Sequence, residues 1–231
     1  MAELAALIAE NEAERSRLAR EPARAQALAR LRAWQSARLA RTYADLAANP
    51  RYALAVSFFL GELYGGAYAG PRDHDLKRAS GALARLLPSR ALAVLERAIA
   101  LEIETQRLDA ALAACLPADA PITATRYAEC YRRSATRAER EAQLAAILEI
   151  GATLDRLVRH AAVGVLLTLA RGPAHAAGLG ALQSFLERGF AAFRATGGAG
   201  EFLAAIGQRE SRLLARLYAG EPDPFEGTEP C

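Results

Sequence analysis

The chain has 231 residues and carries 29 basic and 26 acidic side chains, for a formal net charge of +3. A chain of this length can bury one sizeable core and is short for two domains, so we expect a single domain. Hydrophobic residues make up 52% of the chain and aromatic residues only 6%. Because much of the hydrophobic share is alanine, this composition favours closely packed helices over a β-sandwich.

The charge and hydrophobicity patterns argue against two classes of protein. Acidic side chains are spread along the same segments as the basic ones, so the chain lacks the footprint of a nucleic-acid-binding protein. The longest apolar run, 161–170, has about half the length that a bilayer span needs. We therefore expect no nucleic-acid partner and no membrane span. The strongest candidate for a nucleic-acid-binding patch is a basic cluster beside Tyr127 and Tyr131, which consists of Arg132, Arg133, Arg137 and Arg140. Glutamates interrupt this cluster and reduce its positive charge.

The N-terminus and the cysteines indicate a cytoplasmic protein. The first residues, 1–17, carry acidic side chains among apolar ones and lack the basic region and cleavage site of a signal peptide. The cysteines, Cys115, Cys130 and Cys231, are odd in number and form no Cys-x-x-Cys pair. We expect neither a disulfide framework nor a zinc site from them. Cys115 and Cys130 are interpreted as small core residues.

Helical periodicity runs through most of the chain and predicts an all-α, single-domain bundle of about seven to nine helices. The predicted helices form one domain over residues 1–219. The remainder, 220–231, is rich in proline, glycine and acidic residues, which predicts a flexible tail. In chain order, the predicted helices cover residues 2–20, 22–48, 52–64, 74–86, 89–116, 123–134, 137–169, 174–195 and 200–219.

Two patterns refine the long helix predicted after residue 136. Thr136 and Glu139 form a capping box, in which each side chain bonds the backbone N–H of the other residue. Farther along, Gly151 or Gly164 is expected to mark a kink, and Arg171-Gly-Pro is expected to end the helix. The preceding long helix has apolar residues on two opposite faces, which predicts a central position in the bundle.

The most aromatic segment with helical spacing is 51–70. Its helix, 52–64, is apolar on nearly all sides, which predicts a place inside the bundle. Phe58, Phe59 and Glu62 point in neighbouring directions on this helix. The Glu62 carboxylate is therefore expected to be partly desolvated and to pair with an arginine.

This segment also carries a resemblance. Residues 58–64 read Phe-Phe-Leu-Gly-Glu-Leu-Tyr and are followed by Arg72-Asp73. The pattern resembles the FFLEELY motif proteins, an uncharacterised bacterial family, and the stretches 171–193 and 202–211 look like the same family. The chain departs from the motif at Gly61, where the family has Glu, so an acid at that position is not essential here. The resemblance implies no known activity, substrate or catalytic residue.

Metal and nucleophile chemistry receive little support from the sequence. A di-iron carboxylate site in a helical bundle uses Glu-x-x-His motifs, and this chain has none. The three histidines, His74, His160 and His175, are scattered, and none is placed by spacing to activate a cysteine. We therefore predict no metal site and no cofactor, and His160 is the most plausible ligand if haem binds.

A polar stripe runs along the predicted central helix. Glu102, Gln106 and Asp109 follow i, i+4, i+7 spacing, which places them along one side of the helix. The ordinary interpretation is a solvated or arginine-paired stripe. The alternative interpretation is that the stripe converges with Glu62 on a pocket.

Two functional hypotheses follow from these patterns. The first is a non-enzymatic interaction or assembly protein that forms a homo-oligomer. The alternative is an enzyme or carrier, broadly like haem-oxygenase-like bundles, that binds a small apolar ligand or haem in an internal pocket. A filled core around the aromatic helix favours the first, and a cavity of ligand size favours the second. The candidate pocket residues are Phe58, Phe59, Glu62, Tyr64, Gln106 and His160.

Overall fold

The computed structural model of the chain describes residues 2–64, 74–81 and 89–226. Every regular element within these ranges is helical, which confirms the all-α prediction. A π-helix, Phe59–Tyr64, continues α4, and residues 74–81 form a further helical segment. The α-helices are α1 (Ala2–Ala19), α2 (Pro22–Thr42), α3 (Ala44–Ala48), α4 (Ala53–Phe58), α5 (Ser89–Cys115), α6 (Ala124–Ser134), α7 (Arg137–Val158), α8 (Ala161–Ala176), α9 (Gly180–Ala195) and α10 (Gly200–Ala219).

The described ranges contain eleven helices with assigned bounds, more than the predicted seven to nine. The number is higher because the chain turns at positions where the helical spacing of apolar residues continues. The predicted helix 22–48 divides at Tyr43, which separates α2 from α3. The predicted helix 137–169 divides at Arg159 and His160, so α7 and α8 are separate elements. Apolar residues recur on both sides of each turn, and periodicity alone therefore gives no sign of either break.

Helix α8 continues past the point where the sequence predicts its end. Pro173 lies inside it, and the helix runs on to Ala176 instead of stopping at Arg171. A proline inside a helix removes one backbone hydrogen bond. Here the loss falls in the last turns of the helix, where Ala177 N still donates to Pro173 O at 3.0 Å. No helix in the described part of the chain combines the length and apolar character that a membrane span requires.

Two glycines that were expected to mark a kink have a different role. A Cβ at Gly151 would lie 2.6 Å from Leu203 Cδ2, and a Cβ at Gly164 would lie 3.0 Å from Phe190 Cζ. Both contacts are closer than a side chain tolerates without movement of its neighbour. Gly151 therefore allows α10 to approach α7 closely, and Gly164 allows α9 to approach α8. The break in the helix falls at residues 159–160 instead.

Helix α5 lies at the centre of the bundle, as its two apolar faces predict. It packs against α1, α2, α6 and α7. Leu108 and Leu112 on this helix have no exposed surface. Its polar stripe is paired, since Glu102 forms an ion pair with Arg15 of α1. The prediction of an arginine-paired stripe is confirmed at this position.

The aromatic segment packs on the bundle through one side, since Ala55 and Val56 are buried and Leu54 is 56% exposed, so its expected place inside the bundle is confirmed only in part. The segment also changes helix type along its length. The α-helical part ends at Phe58, and the π-helix begins at Phe59. The ring centroid of Phe59 lies 6.0 Å from that of Phe193 and 5.9 Å from that of Phe202. Single π-helical turns redirect side chains and are common at functional sites. Here the π-helix begins at the residue that meets the rings of α9 and α10.

Polar side chains close the N-termini of two helices. The predicted capping box is confirmed, because Glu139 N donates to Thr136 Oγ1 at 3.2 Å and Thr136 N donates to Glu139 Oε2 at 2.7 Å. Asp75 is buried and accepts hydrogen bonds from the backbone N–H groups of Ala181 and Leu182, at 2.9 and 3.1 Å. It therefore ties the 74–81 segment to the first turn of α9.

Two residues after α10, Pro224 and Phe225, pack against the bundle, whereas residues 220–223 and 226 are exposed. Pro224 is fully buried. The ring centroid of Phe225 lies 5.5 Å from that of Trp34 and 5.8 Å from that of Tyr127. Because residues 227–231 lie outside the described part of the chain, the division into a domain over 1–219 and a flexible tail stays a prediction.

A disulfide joins Cys115 to Cys130, which corrects the expectation of no disulfide. Cys115 is the last residue of α5, and Cys130 lies in α6. The intervening loop turns α6 back against the end of α5, so the two Cα atoms come within 5.5 Å. This separation is normal for a disulfide. Sequence spacing could not reveal the pair, because the helices bring together cysteines that are 15 residues apart.

We expect reduction of this disulfide to destabilise the protein. Closing a loop of about 15 residues stabilises a fold by about 3 kcal/mol. Urea unfolding with and without dithiothreitol measures the difference. Cys130→Ser is the control, because dithiothreitol should leave its unfolding midpoint unchanged. Equal unfolding free energies for the oxidised and reduced wild-type protein would contradict a stabilising disulfide.

Candidate functional site

A partly open cavity of about 140 Å³ lies between α2, the α4 and π-helix segment, α5, α6, α7 and α10. Both apolar and polar side chains form its wall. The apolar lining residues are Leu39, Val56, Phe59, Leu60, Leu144, Ile147, Phe202, Ile206, Leu213, Leu214 and Leu217. The polar and tyrosine lining residues are Gln35, Arg38, Tyr43, Thr105, Asp109, Tyr127, Tyr131, Arg140, Gln143 and Glu210.

The lining of α7 changes character along the helix. Arg140 and Gln143 contribute polar groups near the start of the helix, and Leu144 and Ile147 contribute apolar surface one turn later. Gln143 Nε2 donates to the hydroxyl of Thr105 on α5 at 2.9 Å, which fixes the amide against the central helix. The cavity therefore offers polar and apolar surfaces to the same occupant.

Arg38 and Glu210 form an ion pair in the cavity wall. Arg38 Nη1 lies 2.6 Å from Glu210 Oε1, and the two side chains are 11% and 21% exposed. The Tyr43 hydroxyl donates to the same carboxylate oxygen at 2.8 Å. Burial lowers the pKa of Arg38, but the charge and the hydrogen bond of Glu210, with smaller effects of Tyr127 and Tyr43, together raise the pKa above its ordinary value. The two charges balance each other.

Asp109 lies in a second buried network. Gln35 Nε2 donates to Asp109 Oδ1 at 3.2 Å and lies 3.5 Å from the hydroxyl of Tyr127. Arg32 Nε lies 3.6 Å from Asp109 Oδ2. Burial raises the pKa of Asp109, against the opposing effects of the Arg32 charge and the Gln35 hydrogen bond. Gln35 Oε1 is buried without a hydrogen-bond partner in the described structure.

Arg140 differs from Arg38, the other cation of the described lining, because no carboxylate of the described residues lies within ion-pair distance of it. The residue is 3% exposed. Its Nη1 donates to Gln143 Oε1 at 3.2 Å, and its guanidinium carbon lies 4.3 Å from the ring centroid of Tyr131. Its Nε and Nη2 are buried and have no hydrogen-bond partner. A buried cation without an anion is costly, so an anion that entered the cavity would be stabilised here.

Comparison with known proteins identifies the family of the chain. A family model described as a domain of unknown function (DUF8198) matches residues 14–224. The chain belongs to the DUF8198 family. None of the curated proteins and none of the solved structures compared with the chain matches it. All residues that line the cavity fall within the matched range, so the cavity lies entirely inside the DUF8198 domain.

Among the predicted pocket residues whose side chains the structure describes, only Phe59 lines the cavity of this DUF8198 domain. Phe58 packs toward α9, with its ring centroid 5.3 Å from that of Phe185. Glu62 also meets α9, where Arg188 Nε lies 2.8 Å from Glu62 Oε1. The predicted arginine partner of Glu62 is therefore confirmed.

The other predicted pocket residues lie apart from the cavity or outside the described residues. Gln106 turns toward α1, where its Nε2 donates to Asn11 Oδ1 at 2.9 Å. His160 is exposed at the N-cap of α8. The side chain of Tyr64 lies outside the described residues. No group of three His, Cys, Asp or Glu side chains in the described ranges is arranged to hold a metal ion.

The sequence interpretation missed Arg140 as a pocket residue of the DUF8198 domain. The sequence places it in a basic cluster with Arg133 and Arg137, one turn from the Thr136 cap, where charged residues are usually solvated. The structure buries Arg140 and leaves Arg133 and Arg137 exposed. The available signal was the capping box, because it fixes the start of α7 and hence the face on which Arg140 lies.

We expect Asp109→Asn to remove a pH-dependent part of the stability. Burial raises the folded-state pKa of Asp109 above the unfolded value of about 3.9. The folded state therefore binds the proton more tightly, and this contribution is fully present below the unfolded pKa and lost as pH rises through the folded pKa. Each unit of the difference corresponds to about 1.4 kcal/mol.

Urea unfolding at pH 4 and pH 7 checks this expectation. The wild-type protein should lose stability relative to Asp109→Asn as the pH rises. Asp119→Asn, in an exposed loop, is the matched control and should leave the pH profile unchanged. A parallel pH profile for wild type and Asp109→Asn would contradict the raised pKa.

Proposed function

We propose that this DUF8198 protein binds a small amphiphilic molecule in its internal cavity, as a carrier or sensor of that molecule. The observation that carries the proposal is the buried Arg140, whose Nε and Nη2 have no partner although the residue lines a cavity. Buried polar groups in folded proteins are almost always paired. An occupant with its own polar group supplies the missing partner.

The size of the cavity restricts the occupant. An apolar cavity of about 150 Å³ is large enough for benzene, and this cavity measures about 140 Å³. The proposal therefore favours one ring or a short chain over haem. It also needs no contribution from His160, which is exposed and outside the lining.

We expect a bulky substitution in the apolar wall to abolish binding. Ile206→Trp places a larger side chain in the cavity, whereas Ala204→Trp adds the same ring at an exposed position of α10. Calorimetric titration with benzyl alcohol, benzamide and benzoate tests both variants against the wild type. At least one probe should bind the wild type and Ala204→Trp with 1:1 stoichiometry, and none should bind Ile206→Trp.

Two results of this titration would contradict the proposal. The first is that none of the three probes binds the wild-type protein. The second is that Ile206→Trp, folded by circular dichroism, binds a probe as tightly as wild type does.

A second candidate function is assembly of two copies through α8. No residue of α8 is buried, and Val165, Leu166 and Leu169 are 57%, 62% and 69% exposed. These side chains share one face of the helix. At the margin of this helix, Arg171 already pairs with Glu187 of α9, with Nε and Oε1 2.9 Å apart. A two-fold contact between copies would therefore match apolar surface to itself with balanced charge at its rim.

We expect Leu166→Glu combined with Leu169→Glu to dissociate such a dimer. Two buried carboxylates per copy would face each other across the two-fold contact, which should weaken association by at least about 100-fold. Sedimentation velocity over a concentration series measures the effect, and Ala204→Glu on exposed α10 surface is the control. A wild-type protein that stays monomeric throughout the series would contradict the assembly function.

Other sequence predictions stay proposals. The resemblance to the bacterial FFLEELY motif proteins and the absence of nucleic-acid partners rest on the sequence alone. The proposed cytoplasmic location is weakened by the disulfide between Cys115 and Cys130, because disulfides persist mainly in oxidising compartments.

A further inference from the structure

We infer that the occupant of the cavity is a small monocarboxylate, bound side-on by Arg140 with its apolar body against Phe59, Phe202 and Ile206. The inference rests on the proposed function and specifies its ligand class. Three features of the cavity support it: the shape of the unpartnered edge of Arg140, the pairing of the wall carboxylates with other arginines, and the position of Arg140 in α7.

The two unpartnered nitrogens of Arg140 define the geometry of the ligand. Nε and Nη2 lie on the same edge of the planar guanidinium, and each has an N–H bond that projects outward from this edge, parallel to the other. This pair of parallel donors matches the two oxygens of a carboxylate. The third nitrogen, Nη1, is already bonded to Gln143. The free edge therefore suits a planar two-oxygen acceptor better than a spherical ion.

Both carboxylates of the described wall have an arginine other than Arg140 as their near partner. Glu210 is paired with Arg38 at 2.6 Å, and Asp109 has Arg32 within 3.6 Å. Arg32 lies outside the lining, and Arg140 is the lining cation that has no carboxylate within ion-pair distance in the described residues. An occupant with a single negative charge would give Arg140 the ion-pair partner that it lacks, whereas a cation would add a second unpaired charge.

The position of Arg140 adds to the attraction for an anion. Arg140 lies four residues after the N-cap Thr136, in the first turn of α7. The positive end of the helix dipole lies there, which disfavours a cation and favours an anion. The Tyr131 ring beneath the guanidinium, 4.3 Å away, offsets part of the burial cost without neutralising the charge.

The apolar wall sets the body of the ligand. Phe59 and Phe202, with ring centroids 5.9 Å apart, contribute aromatic surface, and Ile206 lies one turn after Phe202 on α10. In a cavity of about 140 Å³, they accommodate one six-membered ring or a chain of about six carbons. Benzoate is the simplest probe that combines such a body with a carboxylate.

The test compares benzoate with benzamide, which has the same shape and no charge. Calorimetric titration at pH 7 in a zwitterionic buffer, free of added carboxylate and phosphate, gives both affinities. Wild type should bind benzoate roughly 10- to 100-fold more tightly than benzamide, as expected for hydrogen bonds to a charged group. Arg140→Met should bind the two probes equally, and Arg140→Lys should keep only part of the preference because a lysine lacks the paired donors. Arg133→Met, which removes an exposed arginine of α6, should retain the full preference.

The possible outcomes separate the inference from the function on which it rests. Equal affinities of the wild type for the two probes would overturn the carboxylate class and leave the small-molecule site standing. A benzoate preference that survives in Arg140→Met would overturn the assignment of Arg140. If neither probe nor benzyl alcohol binds the wild type, the proposed ligand function fails and the inference fails with it.

Discussion

Burial of α5 on two faces is the constraint on which the rest of the structure depends. In the described structure α1, α2, α6 and α7 pack on it, and Leu108 and Leu112 have no exposed surface. Asp109, next to Leu108, is therefore carried into the interior with only 5% of its surface exposed. Its carboxylate needs polar partners, and α2 supplies them through Gln35. A polar network thus lies within the core because α5 contributes both buried apolar residues and the buried Asp109.

The cavity follows from the meeting of this network with the aromatic core. On one side lie polar groups of α2, α5 and α7, and on the other lie the rings of Phe59 and Phe202. Neither kind of group fills the space between them. The carboxylates of the described wall, Asp109 and Glu210, each lie near an arginine, but Arg140 has no carboxylate partner among the described residues. Stability alone does not account for a buried, unpaired arginine, since replacing buried charged side chains by apolar ones of similar volume is often neutral or stabilising.

The sequence predicts the helices of this protein better than its site. Periodicity places α1, α5, α6 and α10 closely, and the Thr136 capping box fixes the start of α7. Periodicity does not reveal the breaks at Tyr43 and His160, because apolar residues recur at helical spacing on both sides of each turn. The residues that line the cavity are harder to predict from the sequence, since they depend on which helices pack together. Phe59 was predicted from its local environment, whereas Arg140 becomes a pocket residue only when α5, α6 and α7 bury it together. The disulfide is missed for the same reason, because it joins two helices.

A crystal structure of the full-length protein grown with benzoate tests the central claim most directly. We expect the carboxylate to lie side-on to Arg140, with both oxygens within hydrogen-bond distance of Nε and Nη2. The ring should lie beside Phe59 and Phe202. A structure in which a carboxylate of the protein itself pairs with Arg140, or in which side chains fill the cavity in the presence of benzoate, would contradict the account.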